Sequence, residues 1–140
     1  MKPQKTIKTE ARLSGKGLFG GKDVKVVFKP ADADTGVVFV RKDLDDAPRV
    51  EVRPENIVQR DRRSALQCNA AVIETPEHCL AAVHALDIDN LIIEMEGQEL
   101  PGFDGSSEEY FRTLQKCGLQ MQDAVQKPIV VSESVCITEG

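Results

Sequence analysis

Tryptophan is absent from this sequence of 140 residues, and aromatic residues make up only 4% of it. The core must therefore be mainly aliphatic, and a platform of aromatic side chains that stacks on bases is not available. Positive charge is also scarce, because 18 Lys and Arg residues face 23 Asp and Glu residues and the net charge is −5. Nucleic acid is therefore not a predicted partner.

The sequence also lacks long apolar runs and paired cysteine motifs. No apolar run approaches the roughly 20 residues that cross a bilayer, and the N-terminus has no apolar signal segment. The four cysteines show no C-x-x-C spacing, which favours free thiols in a reducing compartment over disulfides or a zinc knuckle: Cys68, Cys79, Cys117 and Cys136. These features predict a cytoplasmic protein with no integral membrane segment.

The single basic cluster is QRDRRS, residues 59–64. It has two interpretations, a solvated loop and a phosphate-binding site, and the loop is the more ordinary of the two. With 140 residues, the chain has the length of one domain.

The first half of the chain is rich in strand patterns. Alternating or β-branched segments predict strands at Thr6–Leu13, Lys25–Phe28, Gly36–Val40, Val50–Val52 and within Ser64–Ile73. The second and third of these segments are predicted to form a hairpin. The glycine-rich segment 15–21 closes the first strand as a turn.

Two helices are predicted in the second half. The first has Thr75 as its N-cap and Pro76 at its first helical position, and its buried face carries Cys79, Val83 and Leu86. The second begins with a capping box formed by Ser106 and Glu109, and its core face carries Tyr110, Leu114 and Cys117.

Three further segments complete the predicted order of elements. Leu91–Met95 is predicted as an apolar strand between the two helices. Leu119–Lys127 is polar and is predicted to be a linker, whereas Pro128–Thr138 alternates like a strand.

Glu77 and His78 are the local pair that could carry chemistry, in the first turn of the first helix. The helix N-terminus favours an ionised carboxylate and a neutral imidazole, which suit a general base and a zinc ligand. Taken alone, the pair is more simply interpreted as the capped start of a helix with an acidic first turn than as a metal site. His84, six residues on, projects about 120° away from His78 and cannot share its metal ion. Since a catalytic zinc takes about three protein ligands, any partners of His78 must come from outside these 140 residues.

The segment TPEHCLAAVHALDIDNLIIEMEGQELPGFDGSS, Thr75–Ser107, matches a spaced pattern at many positions. It resembles the signature of the UDP-3-O-acyl-N-acetylglucosamine deacetylases, which typically reads T-V-E-H-L-x-A-A-L, then G-x-D-N, then E-x-P-x-x-D-G-S. The turn GLFGG, residues 17–21, resembles the family's G-L-H-S/T-G turn. The last residues, KPIVVSESVCITEG, resemble the start of the family's second domain. The resemblance thus covers nearly the whole chain, but less than half of a full-length member.

This resemblance implies an α+β fold. Each of two similar domains is expected to be a two-layer sandwich of a mainly antiparallel sheet with two helices on one face. Residues 1–126 would form the first domain, and residues 127–140 would begin a second domain that is absent from this chain.

The resemblance also implies a zinc-dependent deacetylase of lipid A biosynthesis that acts on UDP-3-O-acyl-N-acetylglucosamine. His78 would be one of three Zn²⁺ ligands, with a His and an Asp contributed by the second domain. Glu77 would take a proton from the attacking water, and Leu18 and Phe19 would lie near the substrate. This chain is then expected to be inactive alone and to need a complementary second-domain chain.

Phe19 departs from the family pattern, which has His at this position, and removes a polar group near the site. That departure and the missing half leave open a non-catalytic remnant or a partner-binding module of the same family. An RNA-binding domain is a third interpretation, because two-layer α/β domains occur in ribosomal proteins, but the acidic balance disfavours it.

Overall fold

The computed structural model describes residues 1–140 as ten strands and two helices, with one short 3₁₀ turn at Pro54–Asn56. Along the chain the elements are β1 Pro3–Ile7, β2 Ala11–Lys16, β3 Asp23–Pro30, β4 Val37–Arg41, β5 Arg49–Glu51, β6 Ile57–Val58, β7 Ala65–Cys68, β8 Ala71–Glu74, α1 Glu77–Ala85, β9 Leu91–Glu96, α2 Glu108–Lys116 and β10 Leu119–Val125.

The main sheet has five strands in the order β2-β3-β9-β4-β5, and all of its pairs are antiparallel except β4 with β9. A three-stranded sheet has the order β6-β7-β8, and β1 pairs with β10 in a two-stranded sheet. The two helices and the mainly antiparallel sheets confirm the predicted α+β class.

Alternation along the central strands places one face of the main sheet in the core. Val26 pairs with Met95 and Phe28 pairs with Ile93, so these four fully buried side chains share that face. They belong to one hydrophobic cluster with the predicted helix residues Cys79, Val83, Tyr110, Leu114 and Cys117, while Leu86 is partly buried against it. Burying each large aliphatic side chain contributes roughly 1.5–3 kcal/mol, which holds both helices against the sheet.

The predicted hairpin between β3 and β4 is wrong. β9 lies between them, antiparallel to β3 and parallel to β4. Phe39 of β4 is therefore a neighbour of Ile93, on a strand that follows more than fifty residues later. Local alternation predicts a strand but contains no information about a distant strand that inserts between two neighbours in sequence.

The predicted strand Thr6–Leu13 is two strands in different sheets. β1 ends at Ile7 and pairs with β10, whereas β2 begins at Ala11 and pairs with β3. The exposed residues Lys8, Thr9 and Glu10 separate them. A chain that leaves one sheet for another must break its pairing, and a continuous alternating pattern does not reveal that break.

The predictions for the C-terminal segment also need correction. The expected linker is mostly strand β10, in which Gln120 pairs with Thr6 and Leu119 pairs with Ile7. Its polar composition arises because many of its side chains face solvent. The predicted strand Pro128–Thr138 has no helix or strand in this structure and is exposed along its length, since alternation alone cannot form a strand without a partner edge.

Both helix starts differ from the predicted caps. Thr75 has φ +56° and makes no cap bond to the helix, so α1 begins at Glu77 after Pro76, and His78 is its second residue. In α2 the Ser106 hydroxyl does accept a hydrogen bond from the Glu108 N–H (3.2 Å), but Glu109 makes no reciprocal bond. Neither helix is long and apolar enough to cross a membrane.

Arg41 and Asp43 form an ion pair at the end of β4. The Arg41 guanidinium, which is buried, donates to both Asp43 carboxylate oxygens at 2.9 and 2.7 Å and to the Val72 carbonyl. The hydrogen bond from Arg41 holds the pKa of Asp43 below its ordinary value. Because the folded pKa is the lower one, this stabilisation is complete above the unfolded pKa of about 3.9 and is lost as pH falls through the folded pKa.

We therefore predict that Asp43→Asn lowers the free energy of unfolding at pH 7 by about 1–3 kcal/mol, because Arg41 loses its charged partner. Below about pH 4 the variant should lose stability with acid less steeply than the unchanged protein. Urea unfolding between pH 7 and pH 3 measures both effects. Asp45→Asn, at an exposed neighbour, is the control and should match the unchanged protein. Parallel acid profiles for Asp43→Asn and the unchanged protein would contradict the prediction.

Candidate functional site

Glu77 and His78 lie side by side in the first turn of α1, and each is half-buried rather than enclosed in the core. Each has one buried polar atom with no hydrogen-bond partner, Glu77 Oε2 and His78 Nδ1. Leaving a buried polar atom unpaired costs about 1–3 kcal/mol. These two atoms, a carboxylate oxygen and an imidazole nitrogen, belong to adjacent residues. They fit the donor set of a zinc site with its neighbouring base.

Asp104 adds negative charge close to these residues. The hydrogen bonds from the Ser106 side chain and backbone are the largest causes that lower the pKa of Asp104, and His78 is near enough to act on it electrostatically. The Ser106 hydroxyl donates to Asp104 Oδ1 at 2.7 Å, and the Ser106 N–H donates to the same oxygen at 2.9 Å. The turn before α2 therefore presents an ionised carboxylate on the side of α1 where His78 lies.

Glu99 joins the glycine-rich turn of residues 17–21 to the segment that precedes α1. Its Oε1 accepts hydrogen bonds from the Phe19 N–H (2.8 Å) and the Thr75 hydroxyl (3.2 Å), and its Oε2 accepts one from the Gly20 N–H (2.7 Å). Glu99 belongs to a sequence motif, but the motif does not predict this role. No local signal could have shown it, because its partners lie 24 and about 80 residues away.

Two glycines allow this close approach. A Cβ on Gly17 would lie 2.4 Å from Glu99 Oε2, and a Cβ on Gly102 would lie 2.9 Å from the Leu18 Cβ. The Gly102 N–H also donates to the Lys16 carbonyl at 2.8 Å. The turn is thus packed directly on the segment that leads to Asp104.

Leu18 and Phe19 lie at the tip of this turn with 53% and 47% of their surface exposed. Leu18 contacts Gly102, which is two residues before Asp104. The structure thereby brings the turn and the Glu77–His78 pair to the same region through Glu99, Thr75 and the Gly102 segment. The predicted proximity of Leu18 and Phe19 to a substrate stays a prediction.

Part of the basic cluster is not a solvated loop. Arg62 is exposed, but only 22% of the Arg63 side chain is, and its guanidinium stacks 4.4 Å above the centre of the Phe19 ring. Arg63 Nη2 also lies 3.2 Å from Glu74 Oε2, and Arg60 Nε lies 3.5 Å from Glu74 Oε1. Neither interpretation of QRDRRS anticipated this packing, because the aromatic partner lies over forty residues earlier in the chain.

An apolar groove of about 340 Å³ borders Glu77. Apolar side chains dominate its lining, contributed by Val52, Ile57, Leu66, Pro76 and Leu80. A groove with this lining suits an apolar group better than a charged one.

The possible metal-binding side chains do not cluster in this chain. No group of three or more His, Cys, Asp or Glu side chains is arranged to hold a metal ion. His84 is exposed and lies in the last turn of α1, where it lines the same surface cavity as Asp87 and Asp89. Cys79, next to His78, is fully buried, and burial raises its pKa well above the ordinary value, so it is not a thiolate ligand.

Residues 4–140 match the family described as LpxC: UDP-3-O-acyl N-acetylglycosamine deacetylase. Over 137 residues, 98% of this chain, it is 36% identical to the UDP-3-O-acyl-N-acetylglucosamine deacetylase of Bdellovibrio bacteriovorus and covers 45% of that protein. It is 39% identical to the proteins of the same name from Brucella melitensis and Brucella ovis and covers 48% of each. The chain thus spans about half the length of these curated relatives.

Proposed function

Because this chain belongs to the UDP-3-O-acyl N-acetylglycosamine deacetylase family, we propose that it supplies one half of a zinc-dependent deacetylase site. The reaction would remove the N-acetyl group of UDP-3-O-acyl-N-acetylglucosamine in lipid A biosynthesis. The observation that carries this proposal is the pair of buried, unpartnered atoms on adjacent residues, Glu77 Oε2 and His78 Nδ1. The cytoplasmic location predicted from the sequence belongs to the same proposal.

His78 would hold the zinc ion from the first turn of α1, through a nitrogen of its imidazole ring. When bound, zinc supplies Lewis acidity that makes water more acidic and polarises a carbonyl. Glu77, the adjacent residue, would accept a proton from the attacking water at its carboxylate. The water oxygen bonds to the acetamide carbon, the carbon–nitrogen bond breaks, and a proton reaches the departing amine, which leaves acetate and free glucosamine nitrogen.

The remaining ligands would come from a second domain, in the same polypeptide or in a partner chain. The sequence resemblance implies that they are a His and an Asp. Two observations support a shared site: this chain has no ligand group of three, and it covers less than half of its relatives.

The test is a comparison of deacetylation by this chain alone and by the same chain joined to the second half of the Brucella melitensis relative. We expect no measurable release of free amine from the chain alone, and zinc-dependent release from the joined protein. Mass spectrometry of the substrate measures both, and the intact relative is the positive control. Zinc-dependent turnover by the pure chain alone would refute the shared site. A folded joined protein that binds zinc and is inactive would refute the deacetylase function.

A non-catalytic remnant or a partner-binding module of the same family is the second candidate, and the stacking of Phe19 on Arg63 favours it. The family pattern implies a polar His where this chain has an aromatic ring held by an arginine. Turnover distinguishes the two candidates: a remnant joined to the second half should stay inactive even when the joined protein binds zinc.

A further inference from the structure

Four segments that are distant in sequence meet immediately before α1. The Thr75 N–H donates to the Ser64 carbonyl at 3.0 Å, and the Leu100 N–H donates to the Glu74 carbonyl at 3.0 Å. Glu99, next to Leu100, accepts hydrogen bonds from two backbone N–H groups of the turn at residues 17–21, those of Phe19 and Gly20. The position of that turn relative to Glu77 and His78 is therefore decided by contacts among these segments.

Arg63 contacts two of these segments, the turn through Phe19 and the end of β8 through Glu74. Its guanidinium carbon lies over the Phe19 ring, 4.4 Å from the ring centre, and its Nη2 contacts Glu74, whose side chain is only 13% exposed. Its Nε is buried without a partner. One planar group thus links the tip of the turn to the last residue of β8, three residues before α1 begins.

Besides its packing on Gly102, the Gly17–Gly21 turn is held at two separate points by side chains from distant segments. Glu99 holds its backbone through Phe19 and Gly20, and Arg63 holds its tip through the Phe19 ring. Arginine suits the second role better than lysine, because its planar guanidinium can stack on a ring and still hydrogen-bond at its edge.

We propose that Arg63 is a positioning residue that fixes the Phe19 ring, and with it the Gly17–Gly21 turn, against the segment that opens α1. The significance of this arrangement for a reaction rests on the function proposed above. The test does not, because it measures the turn itself and needs neither zinc nor substrate.

The test is amide hydrogen exchange at Gly20, whose N–H is bonded to Glu99, followed by NMR in Arg63→Gln, Phe19→Leu and the double variant. Loss of the stack should accelerate exchange about two- to fivefold in each single variant. The double variant should exchange no faster than either single one, because both changes remove the same contact. Phe19→Trp keeps a ring for the guanidinium and should restore slow exchange.

Arg62→Gln, at the exposed neighbour, is the matched control and should leave Gly20 unchanged. The core amides of Phe28 and Met95 report the global fold and should exchange at the same rate in every variant. Unchanged exchange at Gly20, effects that multiply in the double variant, or an equal effect of Arg62→Gln would each overturn the proposal. Faster exchange of the core amides would do the same, since it would show a general rather than a local role.

Discussion

Replacing Glu77 with Gln is expected to lower the rate of acetamide hydrolysis by about 10²–10⁴-fold, the usual contribution of a general base. The amide has nearly the same shape as the carboxylate but cannot accept the proton of the attacking water. His78 is unchanged, so zinc content should be retained. The measurements are kcat and bound zinc in the joined protein described above.

Glu109→Gln is the matched control, because Glu109 is also a glutamate in the first turn of a helix, but it is exposed. We expect its kcat to equal that of the unchanged protein. If Glu77→Gln kept more than a tenth of the activity, Glu77 would not be the base. If the variant also lost its zinc, the carboxylate would serve the metal site rather than the proton transfer.

Replacing Asn90 with Ala is expected to lower the free energy of unfolding by about 3 kcal/mol. Asn90 is 1% exposed, and both its Nδ2 and its Oδ1 have hydrogen-bond partners. Its Nδ2 donates to Gln4 Oε1 and to Gln122 Oε1, both at 2.8 Å, and its Oδ1 accepts from the Gly36 N–H at 2.8 Å. Truncation leaves Gln122 Oε1 and the Gly36 N–H without these partners at the junction of β1, β10 and the start of β4. It also removes one of the two hydrogen bonds that Gln4 Oε1 accepts.

Urea unfolding monitored by circular dichroism gives the free energy. Gln120→Ala is the control, because Gln120 lies on the same strand as Gln122 but faces solvent, and it should change stability by less than about 0.5 kcal/mol. Gln122→Ala removes one of the three bonds and should fall between the two. A loss below 1 kcal/mol for Asn90→Ala would show that the network does not hold the two sheets together.

The candidate catalytic pair could be predicted from a short segment, because Glu77 and His78 are adjacent in sequence and helix geometry places neighbours predictably. The buried, unpartnered Glu77 Oε2 and His78 Nδ1 are consistent with that prediction. The structure corrects the local detail, since α1 begins at Glu77 and Thr75 bonds to Glu99 instead of capping the helix. Cap prediction failed here because Thr75 has φ +56°, whereas an N-cap residue has extended backbone that aims its oxygen at the helix N–H groups.

The contacts around the site could not be predicted from neighbouring residues. Glu99 acts on Phe19 and Gly20 from about 80 residues away, and Arg63 acts on Phe19 from the other side. The local sequence around a glutamate or an arginine does not show whether its side chain is solvated or holds a turn. Which partner they meet depends on how the sheets bring distant segments together.

By itself the sequence determined the existence and core faces of both helices, the central strands and the adjacent acid and imidazole, because these depend on periodicity and on neighbouring residues. The fold class came from the family resemblance of the whole chain. The tertiary structure alone decided that β9 separates β3 from β4, that β10 is a strand paired with β1, and that Arg63 stacks on Phe19. These features depend on contacts between residues far apart in the chain, whose free energy comes from burial and pairing that no local pattern encodes.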